Sequence, residues 1–204
     1  MSPSACVWQR LQAEVIRPGL CTHCGTCAGL SQGALVMQPT ERGPLPHSVG
    51  DGPVLLPELA YAACPGKGLD YPALNRSVFG SEPDNWLIGH WRRIAIGYAT
   101  DPAIRRAAAS GGVITRTLLY LLESGRIDGA VVVRQGYPQP WLAEPCIATS
   151  ADEIRAASQS VYAPIPVNAL LDRMGRFDGV LAYVGLPDQV AALRTLQAAG
   201  HPAA

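Results

Sequence analysis

Apolar positions in this chain come in short bursts, divided by turns rich in glycine and proline, and the period of each burst predicts an element. Val7 to Ile16 has helical spacing and stops at Pro18-Gly19, so a short helix is expected there. Ala34 to Met37 reads as a short strand, residues 38–53 as a turn-rich connector, and Leu55 to Ala63 as one or two helical turns leading to Cys64. Residues 65–90 have weak periodicity, broken by Pro72, Gly80, Pro83 and Gly89. From Arg92 the texture changes. Ile94 to Tyr98 alternates like a strand, and Ala103 to Ala109 reads as a helical turn or loop. Gly112 to Ser124 reads as a helix, with Val113, Leu118, Leu121 and Leu122 on one apolar side and Gly125 as its stop. Ala130 to Val133 is a buried-strand pattern. Cys146 to Ala148 and Asp178 to Val184 are further strands, Ala151 to Ala157 is a short helix, and a last helix starts at Pro187 and runs to about Ala199.

Strands alternating with helices predict an α/β class with a mixed or parallel sheet, largely parallel by the alternation. The change of texture near residue 90 divides the chain into a small region over 1–90 and an α/β domain over 91–204. After the last helix an α/β domain would continue with another strand, so the second domain is expected to be incomplete at its C-terminus.

Composition adds exclusions. The 204 residues are 48% hydrophobic and 16% charged, which is globular, with 16 basic residues balancing 16 acidic ones. No net field recruits nucleic acid or an anionic membrane. No apolar run reaches the length of a spanning helix and no secretory signal opens the chain, so a soluble cytoplasmic protein is expected.

Candidate chemistry sits in the six cysteines. Cys21-Thr-His-Cys24-Gly-Thr-Cys27 carries three thiols at three-residue spacing, and Cys64 opens a Cys-Pro-Gly turn. The bacterial iron–sulfur run adds a fourth cysteine four residues after the third, but that slot is Ser31 here. Cys64, the only cysteine between Cys27 and Cys146, is the natural candidate for the missing thiolate, and the inventory fits one 4Fe–4S cluster and not two. Structural zinc takes the same donors but usually from two separated C-x2-C pairs; buried thiols without metal are the third reading. His23 is a spacer in this reading, and Cys6 and Cys146 lack ligand-like company. A second candidate is Arg105-Arg106-Ala-Ala-Ala-Ser110-Gly111-Gly112 ahead of a helix. It offers a phosphate free amides and bare glycine backbone, although a plain capped turn has the same sequence.

Together these motifs resemble the beta subunit family of coenzyme F420-dependent hydrogenases and dehydrogenases. The resemblance is carried by CTHCGTCAG at 21–29, ACPG at 63–66 and RRAAASGGVITRTLLYLLESGRIDGAVVV at 105–133. SVYAP at 160–164 and VGLPDQVAALRTLQ at 184–197 extend it. It implies a ferredoxin-like iron–sulfur region followed by a flavin-binding domain, and an oxidoreductase that moves electrons between a 4Fe–4S cluster and FAD. The partners implied are a redox subunit or ferredoxin, and coenzyme F420 or another small reducible substrate. Family relatives include ferredoxin-dependent reductases of other substrates, and a non-catalytic electron-transfer or scaffold subunit is the alternative of a different class. Cys21, Cys24, Cys27 and Cys64 fall on cluster-ligand positions. Ser110, Gly111, Gly112 and Thr115 fall in the flavin segment, and Tyr162 and Pro164 in a short motif near it. Two departures stand out: Ser31 replaces a loop cysteine, and Asp188 replaces the cysteine of a Gly-Leu-Pro-Cys turn. No side-chain acid or base for a hydride step is evident, so the catalytic residues are unknown at this stage.

Overall fold

A computed structural model describes residues 3–136 and 139–202, with side chains from Val7 onward. Cys6 therefore lies outside the described side chains. The chain divides into two compact units, one formed by 1–92, 168–176 and 186–204, the other by 93–167 and 177–185.

In the first unit, helix α1 spans Pro3–Leu11 and runs on into a wider π-helical turn over Gln12–Ile16. Val7, Leu11 and Val15, four residues apart, are all buried on its inner side. Each such burial contributes about 1.5–3 kcal/mol. A four-residue helix α2, Thr26–Gly29, leads to a two-stranded antiparallel ribbon of β1, Leu35–Gln38, and β2, Leu45–Ser48, in which Met37 faces Pro46. Strand β2 lies inside the stretch expected to be a connector. Helix α3, Glu58–Ala62, ends just before Cys64, as expected. Helix α4, Tyr71–Phe79, forms in the stretch of weak periodicity. Its start is coded locally, because Asp70 accepts a hydrogen bond from the Ala73 N–H at 2.9 Å and Pro72 suits a first turn.

In the second unit, α5 spans Pro102–Ala107, capped by Asp101, and α6 spans Val113–Glu123. Helix α6 stops as its sequence predicts. Gly125 is left-handed, its N–H reaches the Leu122 carbonyl at 3.0 Å, and the Arg126 N–H reaches Leu121 at 2.9 Å. The buried face differs from expectation: Leu118 and Leu119 are buried, Leu121 and Leu122 pack beside them, and Val113 is exposed. Strand β3, Gly129–Gln135, lies between β4, Ala143–Ala148, and β5, Leu181–Tyr183. It pairs antiparallel with β4 and parallel with β5, so the sheet is mixed, not largely parallel. The reason is the link over 136–142, too short for the crossover a parallel pair requires. Helix α7, Ala151–Ala156, starts in a Ser150–Glu153 capping box and buries Ile154 against this core.

The expected strand from Ile94 to Tyr98 does not form. The segment has no regular structure, and Ile94, Ile96 and Tyr98 are exposed. Alternation alone is insufficient, because a strand needs a partner edge and none is supplied among the described residues. The remaining helices belong to the first unit: α8, Leu171–Gly175, and α9, Pro187–Ala198. Helix α9 begins at Pro187 as expected, with the Gln189 amide oxygen reaching back to the Leu186 N–H at 2.9 Å. Asp188 stands in its first turn, where negative charge is favourable. None of the described helices is long and apolar enough to cross a membrane.

Candidate functional site

Cys21, Cys24, Cys27 and Cys64 line one cavity, whose apolar wall includes Leu11, Val15 and Met37. Two backbone devices bring them there. Gly25 takes a left-handed φ of 85° and starts α2, so the loop reverses between Cys24 and Cys27. On the other side, Cys64 has the extended backbone preferred before proline, and a 3-10 turn follows over Pro65–Lys67. Gly66 presses this turn against the residue before the loop. A Cβ there would stand 2.5 Å from the Leu20 carbonyl oxygen and 2.6 Å from Val15 Cγ1.

Other residues near the loop have structural work. His23, at φ 60°, points its Nδ1 at the Pro44 carbonyl, 2.9 Å away, and is not among the cavity's walls. The buried Ser31 hydroxyl donates to the Ala28 carbonyl at 2.7 Å and accepts from the Leu35 N–H at 2.9 Å. It closes the turn between α2 and β1 and takes no part in the cavity. Cys146 pairs in register with Val132 on β4 and packs on the core of the second unit.

Burial governs the thiols. Desolvation raises Cys21, and it raises Cys27 further, with repulsion from Cys24, Cys64 and Cys21 adding to it. Cys64 is pushed up to about 11 by desolvation first and by Cys24 second. Backbone N–H groups oppose these shifts: His23 at Cys21, Ala28 at Cys27, and Gly66 and Lys67 at Cys64. The same N–H groups suit a thiolate cluster, whose negative charge they stabilise. Among the described residues, however, no group of three or more His, Cys, Asp or Glu side chains is arranged to hold a metal ion.

The raised thiols have a consequence for stability. A folded pKa above the unfolded value favours the protonated fold, so the stability contributed by Cys64 is complete below about pH 9 and lost as pH rises through about 11. The loss is on the order of 3 kcal/mol. Chelator-treated protein should melt at progressively lower temperature over this interval, and Cys64→Ser should flatten the decline. A wild-type melting temperature level from pH 9 to 11 would contradict the assigned burial.

The second candidate is built at the start of α6. Gly112, left-handed at φ 73°, is its N-cap and provides no side-chain cap to the first-turn amides. Ser110 is exposed, and Arg105 donates a hydrogen bond to its carbonyl. Thr115 Oγ1 lies 3.5 Å from Ser158 Oγ, at the limit of a hydrogen bond. Gly111 is bare for an internal reason: a Cβ would stand 2.9 Å from the Gly97 carbonyl oxygen. Substitution at Gly111 therefore disturbs the backbone, whatever binds outside. Tyr162 is almost wholly exposed.

Two residues of the cysteine site escape a reading of the sequence. Thr26 Oγ1 lies 3.2 Å from Cys24 Sγ, and Asn168, distant in the chain, donates to Thr26 Oγ1 at 3.0 Å. Thr26 had a signal, as a small polar residue inside the loop. Asn168 had none.

Comparison with known proteins gives matches to one family. Residues 94–172 match the model described as "Coenzyme F420 hydrogenase/dehydrogenase, beta subunit N-term". That interval contains the Ser110–Thr115 turn and Cys146, but none of Cys21, Cys24, Cys27 and Cys64. A coenzyme F420 hydrogenase subunit beta from Methanothermobacter thermautotrophicus is 34% identical over 54% of this chain and 40% of its own length. The subunit of the same description from Methanosarcina barkeri is 33% identical over 48% of this chain and 34% of its own. A coenzyme F420-dependent sulfite reductase from Methanocaldococcus jannaschii is 38% identical over 43% of this chain and 14% of its own. The chain thus matches well under half the length of each. Among solved structures, the F420-reducing NiFe hydrogenase complex from Methanosarcina barkeri aligns with a TM-score of 0.47 and 31% identity, covering 50% of this chain and 35% of that one.

Proposed function

From a chain that belongs to the coenzyme F420 hydrogenase/dehydrogenase beta subunit family, we propose a protein that transfers electrons between one 4Fe–4S cluster and FAD. The final two-electron partner in this reading is coenzyme F420, and the electron donor is a redox subunit or ferredoxin. The observation that carries the reading is the meeting of Cys21, Cys24, Cys27 and Cys64 on one apolar cavity. When bound, the cluster supplies single-electron steps and the flavin couples them to two-electron chemistry.

The chain's own residues do the rest. Four soft thiolates are the donor set for iron–sulfur iron. Leu11 and Val15 keep water from the cavity, and the N–H groups of His23, Ala28, Gly66 and Lys67 offset the charge of the thiolates. A single zinc ion would draw all four sulfurs to about 2.3 Å from one point. The sequence favours the cluster, because zinc sites usually draw on two separated C-x2-C pairs and this chain has three thiols in one loop. At the other candidate site, the uncapped amides of α6 and the Arg105 guanidinium offer a phosphate of FAD its contacts, with Ser110, Gly111, Gly112 and Thr115 forming the turn.

The sulfite-reductase description of one relative favours a second reading, in which the same electron path ends on another substrate. A reducing, cytoplasmic compartment suits either.

The flavin placement is tested at Ser110, which is exposed and spares the fold. Ser110→Asp puts a carboxylate where a phosphate would sit, and FAD affinity should fall by about tenfold or more, about 1.4 kcal/mol. Iron content should not change. Equal FAD affinity in Ser110→Asp and wild type, measured by flavin fluorescence quenching, would show the placement to be wrong. Protein loaded with both cofactors and reduced with dithionite should bleach coenzyme F420; failure to do so would contradict that choice of acceptor.

A further inference from the structure

Thr26 is only 1% exposed, inside the cysteine loop, an expensive seat for a hydroxyl without partners. It has two. Its Oγ1 accepts from Asn168 Nδ2 at 3.0 Å and lies 3.2 Å from Cys24 Sγ. Asn168 is wholly buried. Its Nδ2 also donates to the Gln189 carbonyl at 3.1 Å, and its backbone N–H donates to the Cys24 carbonyl at 2.9 Å. One asparagine thus holds Cys24 through the backbone and Thr26 through the side chain.

A threonine hydroxyl has one proton. With the Asn168 amide donating to its oxygen, that proton is directed elsewhere, and Cys24 Sγ is the acceptor in range. A ligating thiolate has no proton of its own, so the hydroxyl must then be the donor. We propose that Thr26 donates an O–H···S hydrogen bond to the Cys24 thiolate and thereby sets the reduction potential of the cluster, with Asn168 as the positioning residue that aims the hydroxyl. The proposal rests on the cluster reading above. A hydrogen bond to a ligand sulfur favours the more negative, reduced state, so this one raises the potential. Backbone amides meet the other three sulfurs. At Cys24 the donor is a side chain, which makes the potential adjustable by substitution.

The test is a redox titration of the reconstituted cluster, followed by electron paramagnetic resonance. Thr26→Val keeps the branched shape and removes the proton. With iron and sulfide at wild-type levels, its reduction equilibrium should fall about tenfold, a shift of about 59 mV to more negative potential for one electron. Thr26→Ser should restore the wild-type value, which a purely structural role for the branched side chain would not predict. Asn168→Ala retains the hydroxyl but not its aim, and should shift the potential in the same direction. It carries the test should Thr26→Val fail to hold iron. Wild-type potential in whichever of these two variants loads a cluster would overturn the relay and leave the cluster reading standing. Wild-type protein that takes up no iron and sulfide would overturn the cluster reading and the relay with it.

Discussion

Cys64→Ser is expected to lose the cluster or to convert it to a form with less iron, while Cys146→Ser keeps the wild-type iron and sulfide content. Cys64 is the one cavity thiol outside the 21–27 loop, and the proposed cluster needs it as the fourth donor. Serine presents a harder oxygen donor with a far higher pKa, a poor substitute at iron–sulfur iron. The fold should survive, because the backbone of Cys64 is placed by Pro65 and by the close packing of Gly66 on Leu20 and Val15, not by its sulfur. Cys146 lies on β4 opposite Val132 and packs on the other unit's core, so its loss removes a sulfur from a packed surface only. Iron and acid-labile sulfide per chain, with the visible spectrum, distinguish the two variants. A Cys64→Ser protein with undiminished iron and sulfide would remove Cys64 from the ligand set.

Gly29→Ala should be among the most destabilising single-methyl changes in the chain. A Cβ at Gly29 would stand 2.2 Å from the Asn168 carbonyl oxygen and 2.9 Å from Leu171 Cβ. Neither neighbour can swing away: one is backbone, and the other is the Cβ of a fully buried leucine. Helix α2 would have to lift from the 168–171 segment, dislodging the Cys24–Asn168 hydrogen bond as it moved. A cost of about 3 kcal/mol is expected for such overpacking. Gly52→Ala, where the added carbon meets nothing within 4 Å, is the matched control and should be nearly neutral. Denaturant midpoints of the two variants decide the matter. A Gly29→Ala midpoint at the wild-type value would mean that α2 does not approach Asn168 as closely as described.

How much of this was legible beforehand depended on whether the signal was local. Helix α6, helix α9 and strand β3 were readable because their period, caps and burial agree within a few residues. The three loop cysteines stand out in the sequence by their spacing and Cys64 by the proline after it, whereas their sharing of one cavity is visible only in the fold. Strand β2 was hidden by Pro46, which reads as a turn residue yet is tolerated in a two-stranded ribbon. Helix α4 has a usable signal in Asp70 and Pro72, but a proline inside a weakly periodic stretch reads equally well as a break or as a first-turn residue, and here it is the latter. The Ile94–Tyr98 alternation was misleading because pairing depends on a neighbour that no local pattern reports. Asn168, Gly29 and Gly66 were opaque for the same reason. Each matters through a contact between segments far apart in the chain, and that contact exists only once the chain has folded.

The most direct measurement is metal and sulfide analysis of the anaerobically purified wild-type chain. One 4Fe–4S cluster on Cys21, Cys24, Cys27 and Cys64 predicts brown protein with about four iron and four acid-labile sulfide per chain. Stoichiometric zinc with no sulfide would contradict it.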